Sequence, residues 1–281
     1  MNKVEIIEKC EQYATLIRKK ILTASYNSGK KGVHIGSALS LSDILAVLYG
    51  GILNYDCNNP VWNERDRFIL SKGHAYVGLY SILNITGYFS DEEFKDNFMM
   101  DGGFLPAHPV KNLSKGIECS SGSLGMGLSF AVGKAYYAKL EKLKYRTYVI
   151  LGDGECNEGS VWEAFMAAAQ FKLSNLIAII DHNKWQQDGH TDEVMNIDFE
   201  RVLTALGWDV AVVDGHNIEQ LFITINKRNE QVSDKPFAIV ANTIKGKGVQ
   251  FMEDDNKWHH AHLTEEQYYE ALNSLKSEEI I

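Results

Sequence analysis

The amino-acid sequence predicts an α/β protein built on a parallel β-sheet with helices on both faces. Continuous apolar runs alternate with helical stretches after residue 144, and such runs are typical of strands that are buried on both faces, as in parallel sheets. Each run ends in polar or glycine residues, and open α/β sheets bind their ligands at the carboxyl ends of their strands. We therefore expect the functional site at that edge of the sheet.

The predicted elements follow in chain order. Apolar residues recur at helical spacing in residues 4–26, 41–53, 76–86 and 124–142. The predicted strands cover 148–151, 176–180, 208–213 and 237–240, with helices at 162–171, 199–206 and 218–228 between them. We interpret residues 1–281 as one domain, with a helical portion at about 1–143, parallel-sheet motifs at about 144–262 and a final helix at 264–276.

Composition and charge exclude several classes of protein. Of the 281 residues, 45% are hydrophobic, which supports a large core and excludes a disordered chain. The formal net charge of −9 argues against general nucleic-acid binding, which needs a cationic face. No apolar run is long enough to cross a bilayer, and the first residues lack a secretory signal pattern. The four cysteines are scattered, as in a reducing compartment, so we predict a cytoplasmic protein without nucleic-acid or membrane partners.

The first chemical motif follows the first predicted strand. Gly152-Asp153-Gly154 lies between that strand and a helix, and it lacks the glycine spacing of a dinucleotide-binding turn. Glycines at this position let backbone N–H groups approach an anion, while the carboxylate of Asp153 holds a cation. Taken alone, the motif is equally well interpreted as an ordinary tight turn.

A second motif follows the next strand, where the chain reads Asp181-His182-Asn183-Lys184-Trp185. Because the carboxyl ends of parallel strands meet at one edge of a sheet, both motifs present oxygen ligands at the same place. Carboxylate, amide and backbone carbonyl oxygens suit Mg²⁺ or Ca²⁺, with phosphate oxygens or water in the remaining positions. The two motifs together predict a divalent metal that holds a diphosphate.

Gly-Asp-Gly followed one strand later by Asn resembles the signature of thiamine diphosphate enzymes, and further segments resemble transketolase motifs in transketolase order. These segments are 33–36 (VHIG), 71–75 (SKGHA), 106–109 (PAHP), 122–127 (GSLGMG), 245–249 (KGKGV) and 257–259 (KWH). The resemblance extends from the first helix to His259. It implies the thiamine-diphosphate-binding fold for the chain, with thiamine diphosphate and Mg²⁺ or Ca²⁺ as cofactors.

The resemblance assigns metal and cofactor ligands residue by residue. Asp153, Asn183 and the backbone carbonyl of Trp185 match the family's metal ligands. The positions that match its cofactor-binding groups are His74, Gly122, Ser123, Leu124, Gly154, Glu158, Asn183 and His259. The turn at 122–124 is expected to open a helix, and the N–H groups and dipole of a helix N-terminus favour an anion.

The resemblance also implies catalytic roles for four histidines, which are His34, His74, His108 and His259. They match residues that line the family's funnel to the reactive carbon, where they hydrogen-bond sugar hydroxyls and move protons. For a single histidine, a core or surface position is the ordinary interpretation. Their occurrence in Gly/Pro-rich turns in family order favours the functional one.

Other charged residues lie near the motifs. Lys245 and Lys247 could bind phosphate or could form a solvated charge pair. Glu158 and Glu163 match acids that, in the family, link two active sites across a dimer. His259, His260 and His262 together match a weak transition-metal pattern, and we interpret His260 and His262 as surface residues instead.

Part of the family's active site has no counterpart in the sequence. In transketolases a separate domain binds the aminopyrimidine of the cofactor, and residues 1–281 contain neither that domain nor the C-terminal one. The resemblance therefore implies either a fragment or the N-terminal subunit of a two-subunit transketolase, and we favour the subunit. It would transfer a two-carbon ketol unit from a ketose or ketose phosphate to an aldose. Its partner, in an α2β2 assembly, would be a C-terminal subunit that carries the pyrimidine-binding domain.

Two other functions are compatible with the sequence. One is a subunit of another thiamine diphosphate enzyme, such as a 2-oxo acid dehydrogenase component, although the histidines suit polar sugars better. The other is a non-catalytic paralogue that binds the cofactor, because Trp185 stands where a small aliphatic residue is usual in the family.

Overall fold

The computed structural model describes residues 1–278, with side chains through Leu275, and these residues contain a five-stranded parallel sheet. The strands are β1 (Arg67–Leu70), β2 (Thr147–Gly152), β3 (Leu176–His182), β4 (Asp209–Asp214) and β5 (Phe237–Asn242). They pair in the order β1-β2-β3-β5-β4. The predicted α/β class is confirmed, and each of the four predicted apolar runs lies on a strand.

The edge strand β1 was not predicted, and it lies inside the portion that the sequence indicated to be helical. Its four residues are too few to show a period, and a charged segment precedes them. The strand exists because β2 pairs with it, with Phe68 opposite Tyr148 and Leu70 opposite Ile150. The first half of the chain therefore contributes a strand to the sheet as well as helices.

The predicted helices lie at or near their predicted positions. Within residues 1–278 the α-helices are α1 (Lys3–Asn27), α2 (Ile35–Ser40), α3 (Ser42–Val47), α4 (Tyr76–Ile85), α5 (Asp91–Asn97), α6 (Gly127–Leu140), α7 (Gly159–Gln170), α8 (Thr191–Val194), α9 (Phe199–Ala205), α10 (Ile218–Glu230) and α11 (Glu265–Glu278). Three of the short helices, α2, α5 and α8, were not predicted. In this part of the chain, no helix has both the length and the hydropathy needed to cross a membrane.

Helices cover both faces of the sheet, because the side chains of each strand alternate between two apolar cores. On β2, Tyr148 and Ile150 belong to the core shared with α1, α3 and α4. Val149 and Leu151 belong to the core shared with α6 and α7. Every residue of β2 is buried, which accounts for the continuous apolar runs in the sequence.

The two ends of the chain meet at the carboxyl edge of the sheet. Val33 and Ala261 form an antiparallel bridge, with N–H···O distances of 2.9 and 3.0 Å. This bridge brings His34 beside the segment that contains His259. Register places the last residue of β2, Gly152, opposite Asp181 of β3, so the two predicted motifs leave the sheet side by side.

Candidate active site

A cavity of about 300 Å³ opens at the carboxyl edge of β2 and β3. Its lining comes from segments across the chain and consists of His34, Ser37, Lys72, His74, Gly122, Leu124, Gly152, Asp153, Gly154, Glu155, Asn183, Trp185, Gln186, Gln187, Asp188, Lys245 and His259. The structure thus brings most of the predicted metal, cofactor and catalytic residues together. His108, Ser123 and Glu158 are not among the lining residues.

Asp153 follows β2 and is 3% exposed. Its Oδ1 accepts the Gly154 N–H at 2.8 Å, and its Oδ2 accepts the Lys184 N–H at 2.6 Å. Burial and the nearby carboxylate of Asp181 raise the pKa of Asp153 to about 7. The carboxylate is therefore fixed in position and is in an environment that favours a neutralising cation.

Asn183 is oriented by the polar groups around it. Its Nδ2 lies 3.4 Å from Asp181 Oδ2 and 3.5 Å from Ser40 Oγ, while its Oδ1 accepts the Trp185 N–H at 3.1 Å. The Trp185 indole donates to Asp254 Oδ1 at 2.7 Å, which anchors the segment after β3. These contacts set both the direction of the amide oxygen and the course of the backbone at Trp185.

These donors fit a divalent metal. Asp153, Asn183 and the carbonyl of Trp185 offer hard oxygen ligands of the kind that Mg²⁺ and Ca²⁺ take. Within the residues whose side chains are described, no group of three or more His, Cys, Asp or Glu side chains is placed to hold a metal ion. A metal at Asp153 would therefore need further ligands from an anion or from water. It would also relieve the repulsion between the carboxylates of Asp153 and Asp181.

Glu155, which the sequence analysis did not single out, ties two parts of the site together. It is buried, and it accepts the N–H groups of Gly125 at 2.9 Å and Gly152 at 3.1 Å as well as the hydroxyl of Ser71. The turn at 122–125 is thereby held against the end of β2. Gly125 has φ +81°, and a Cβ there would lie 2.6 Å from Ser160 Oγ, so the turn requires glycine.

Histidine rings cluster around His34, which lines the cavity together with His74 and His259. The ring centroid of His34 lies 4.6 Å from His260, 5.3 Å from His74, 5.3 Å from His259 and 6.2 Å from His108. Burial is the main cause that lowers the pKa of His34 to about 3, that of His259 to about 4 and that of His74 well below its usual value. These three rings are uncharged at neutral pH, and each then has one donor and one acceptor nitrogen.

Lys245 is buried in the cavity wall, so it is not half of a solvated charge pair. It is 1% exposed, and its Nζ donates to Asn256 Oδ1 at 2.6 Å and to His259 Nδ1 at 3.0 Å. Because Nδ1 of His259 accepts, the proton of that ring belongs on Nε2. Burial and the nearby charge of Lys72 lower the pKa of Lys245 to about 8. Lys247, in contrast, pairs with Glu253 at 3.1 Å and is partly exposed.

Lys72 is a second buried lysine that the sequence analysis gave no role. It forms an ion pair with Asp181, which also accepts hydrogen bonds from Ser40 and Thr243. Burial alone would raise the pKa of Asp181, but Lys72 and the two hydroxyls outweigh it and hold that pKa below its usual value. The signal in the sequence was the position of Lys72 in the segment that also carries His74.

Two buried polar atoms of lining residues have no hydrogen-bond partner in the described part of the chain. They are Nδ1 of His34 and Nε2 of Gln186, and Gln186 lies against the Gly154 turn. Buried polar groups are normally satisfied, so partners for these two atoms are expected from a ligand or from water. Gln186 was not identified from the sequence.

Four predicted residues lie away from the cavity wall. His108 is exposed, with its ring 6.1 Å from that of Tyr76. Ser123 is exposed beside the turn that carries Gly122 and Leu124. Glu158 and Glu163 are exposed at the start of α7. None of these four residues lines the cavity in which the other predicted residues meet.

Comparison with known proteins identifies the family. A family model described as the transketolase, thiamine diphosphate binding domain matches residues 12–277. The chain belongs to the transketolase family. The resemblance inferred from the sequence motifs is thereby confirmed.

Transketolase relatives of two lengths match the chain. It is 42% identical to a protein of Phocaeicola vulgatus that is named as one subunit of an apulose-4-phosphate transketolase, over 96% of this chain and 94% of that protein. It is 40% identical to the 6-deoxy-6-sulfo-D-fructose transketolase subunit SqwG of a Clostridium species, over 95% of this chain and 96% of that protein. The crystal structure of transketolase from Campylobacter jejuni aligns with a TM-score of 0.87 and 31% identity, over 98% of this chain and 43% of that one. The chain thus matches in length the relatives named as subunits and spans less than half of the Campylobacter transketolase.

Proposed function

We propose that this chain holds the diphosphate of thiamine diphosphate and a Mg²⁺ or Ca²⁺ ion, as the N-terminal subunit of a two-subunit transketolase. The observation that carries the proposal is the composition of one cavity: oxygen ligands suited to a hard cation, a buried ammonium group and uncharged histidines face the same space. The reaction is the transfer of a two-carbon ketol unit from a ketose or ketose phosphate to an aldose. Family membership and the match in length to relatives named as subunits support this function.

The anion-binding side of the cavity suits a metal-bound diphosphate. Asp153, Asn183 and the carbonyl of Trp185 would hold the metal, while the N–H of Gly154 and the ammonium group of Lys245 would bind diphosphate oxygens. A buried ammonium group is costly unless an anion compensates it, and this favours an anionic ligand next to Lys245. When bound, thiamine diphosphate supplies the centre that stabilises a carbanion on the transferred carbon unit.

The histidine side of the cavity suits a polyhydroxylated substrate. His34, His74 and His259 are uncharged, so each can donate one hydrogen bond to a sugar hydroxyl and accept another. Lys245 directs the N–H of His259 away from itself, and Ser37 Oγ lies 2.9 Å from Nε2 of His74. Beside the negative charge of a diphosphate the pKa of these imidazoles would rise, and they could then accept and return protons during ketose cleavage. His108 would contact substrate from the rim.

The second half of the site would come from a partner subunit. Two relatives that match this chain over nearly their whole length are named as transketolase subunits, and this supports a partner chain that supplies the rest of the enzyme. We propose that this partner carries the pyrimidine-binding domain and assembles with this chain as an α2β2 heterotetramer in the cytoplasm.

Native mass spectrometry tests the assembly. The tagged chain is purified from its own cells with Mg²⁺ and thiamine diphosphate, and peptide sequencing identifies any chain that accompanies it. A complex with a chain similar to the C-terminal half of transketolases, together with cofactor, is the expected result. A homodimer without cofactor would refute the proposal.

Activity assays on the purified complex test the reaction. A ketose phosphate with an aldose acceptor should be turned over, and pyruvate should not. Asp153→Asn should lose cofactor binding, whereas Asp192→Asn, an exposed carboxylate outside the cavity lining, should retain it. Turnover of pyruvate would favour a 2-oxo acid dehydrogenase component. Cofactor binding without turnover of either substrate would identify a non-catalytic paralogue.

A further inference from the structure

His260 is an exposed histidine whose ring packs against that of His34, a residue of the cavity wall. The two ring centroids lie 4.6 Å apart at an interplanar angle of 74°. This is the shortest of the four ring distances from His34 to neighbouring histidines. His260 is itself not among the residues that line the cavity. It therefore lies next to the cavity wall but on the surface of the chain.

The backbone fixes the position of this ring. The next residue, Ala261, forms the antiparallel bridge to Val33, so His260 and His34 are each adjacent to a bridged residue. Gly32 makes room for the ring, because a Cβ there would lie 3.1 Å from His260 Cε1 and 2.9 Å from the carbonyl oxygen of Ala261. The φ of Gly32 is +65°, a conformation that also favours glycine. The ring is thus held in place by the fold although it is exposed.

Both ring nitrogens of His260 are available to a ligand. The ring of His259, one residue earlier, is bonded by the ammonium group of Lys245 at 3.0 Å. No residue whose side chain the structure describes forms a hydrogen bond to the ring of His260. An imidazole nitrogen donates or accepts according to its protonation, so this ring can bond a hydroxyl group in either direction. Because the ring is already held, ordering it on binding costs little.

The burial of the histidines indicates which part of a substrate His260 would meet. His34, His74 and His259 are partly buried and line the cavity, whereas His260 is exposed. In the proposed reaction the two-carbon unit is transferred inside the cavity, so the rest of the sugar chain extends towards solvent. An exposed imidazole beside His34 is placed to contact this outer part of the sugar.

We propose that His260 is a specificity-determining residue, which hydrogen-bonds a hydroxyl group of the sugar beyond the transferred two-carbon unit. This inference rests on the proposed function and deepens it, because it names a residue that recognises the part in which one ketose differs from another. The aldose that leaves a donor and the aldose that accepts the unit occupy the same place in forward and reverse transfer. The same contact therefore serves donor and acceptor.

Steady-state kinetics of the purified two-chain complex test the assignment. His260→Ala should raise the KM for the ketose phosphate by about 3- to 10-fold, the loss expected for one hydrogen bond between neutral groups. The kcat should change little, because the contact is made equally before and during the reaction. The thermal midpoint and the affinity for thiamine diphosphate with Mg²⁺ should match those of the parent, since His260 is exposed and outside the cavity lining.

A donor without a sugar chain separates recognition of the substrate from support of His34. 3-Hydroxypyruvate carries the same two-carbon ketol unit, bonded to a carboxylate that leaves as CO₂, and it has no hydroxyl group beyond that unit. The kcat/KM of His260→Ala for this donor should equal that of the parent. An equal loss with both donors, or weaker cofactor binding, would show that His260 only supports His34, and it would overturn the proposal.

Amide variants and a matched control complete the experiment. The amide of His260→Asn lies near the position of Nδ1 and that of His260→Gln near Nε2, so one of the two should recover part of the lost affinity. His262→Ala is the control, because His262 is an exposed histidine two residues further along and is not paired with the ring of His34 in the described part of the chain. This control should match the parent with both donors.

Two outcomes separate this inference from the proposed function. A parental KM for the ketose phosphate in His260→Ala would overturn the role of His260 while leaving the two-subunit enzyme intact. Failure of the parent complex to turn over any ketose phosphate would overturn the proposed function, and this inference with it.

Discussion

Replacing Lys245 with methionine should make the free chain more stable and the cofactor complex weaker. The ammonium group of Lys245 is almost completely buried, and its pKa is lowered from 10.5 to about 8. A lysine whose pKa is lower in the folded chain than in the unfolded one destabilises the fold at pH values where it is charged. Methionine has a similar length and no charge, so it removes this penalty.

The magnitude follows from the two pKa values. At about 1.4 kcal/mol for each pKa unit, the difference between 10.5 and about 8 corresponds to roughly 3 kcal/mol at neutral pH. The variant also loses the hydrogen bonds to Asn256 and His259, which are worth about 1 kcal/mol each. We therefore expect Lys245→Met to be more stable than the parent by about 1 kcal/mol at pH 7.5.

The sign of the pH dependence gives a sharper test. The penalty is complete below pH 8 and disappears as the pH rises towards 10.5, because the folded chain and then the unfolded chain lose the proton. Between pH 7.5 and 9.5 the free energy of unfolding of the parent should gain about 2 kcal/mol relative to Lys245→Met. Other titrating groups are common to both chains and cancel in this difference.

Urea unfolding of the metal-free chains at the two pH values measures the difference, and calorimetric titration with thiamine diphosphate and Mg²⁺ measures the affinity. A charge-assisted hydrogen bond contributes about 1.5–3 kcal/mol, so loss of the ammonium group should weaken cofactor binding by about 10- to 100-fold. Lys247→Met removes a partly exposed lysine paired with Glu253 and should change neither quantity appreciably. An unchanged stability difference between the two pH values, or equal cofactor affinity, would refute the reasoning.

Three further predictions concern other parts of the site and its support. Asp153→Asn should abolish the rise in thermal midpoint, about 5 °C or more at saturation, that Mg²⁺ and thiamine diphosphate together give the parent; a retained rise would exclude Asp153 as the metal ligand. Arg18→Met breaks a buried ion pair with Asp43 and should lower the free energy of urea unfolding at pH 7 by about 3–5 kcal/mol. Burial raises the pKa of Asp43, but in the parent Arg18, together with His216, outweighs burial. Without Arg18 the pKa of Asp43 should rise, so the loss of stability should shrink as the pH falls through 4, and an equal loss at pH 4 and 7 would contradict this. In Glu155→Gln the new side chain cannot accept all three hydrogen bonds, so the free energy of unfolding should fall by about 1–3 kcal/mol and amide exchange at Gly125 should become faster. Unchanged exchange at Gly125 would show that Glu155 does not hold the turn.

Local patterns in the sequence were sufficient to predict four of the five strands of the sheet. The runs at 148–151 and 176–180 are apolar at every position, because both faces of β2 and β3 are covered by helices. The turns after them could then be placed at one edge from topology alone. That edge is where Asp153 and Asn183 meet in the structure.

The sequence could not show which charges become buried. Lys245 and Lys247 are two residues apart in the same glycine-rich segment, yet one is buried against His259 and the other pairs with Glu253 near the surface. The partner of Lys72, Asp181, is more than one hundred residues away along the chain. Such outcomes depend on contacts between distant segments, and no local period reports them.

The resemblance to transketolases predicts that four histidines share one site, and the structure brings three of the four together in the cavity. His34, His74 and His259 lie together because the bridge at Val33 and the turns that carry the other two converge on one edge. His108 lies in a long segment between α5 and α6 and is exposed. Its predicted contact with substrate remains a prediction, since His108 is not among the residues that line the cavity.

The bridge between Val33 and Ala261 determines when the cavity can form during synthesis. A chain is synthesised from its N-terminus, and a domain generally folds as a unit. His34 emerges early, but Lys245, His259 and the bridge residue Ala261 emerge only near the end, so the full cavity lining is present only after these residues have been synthesised. A chain terminated before residue 245 therefore lacks two residues of the cavity lining, Lys245 and His259, together with the bridge that positions His34.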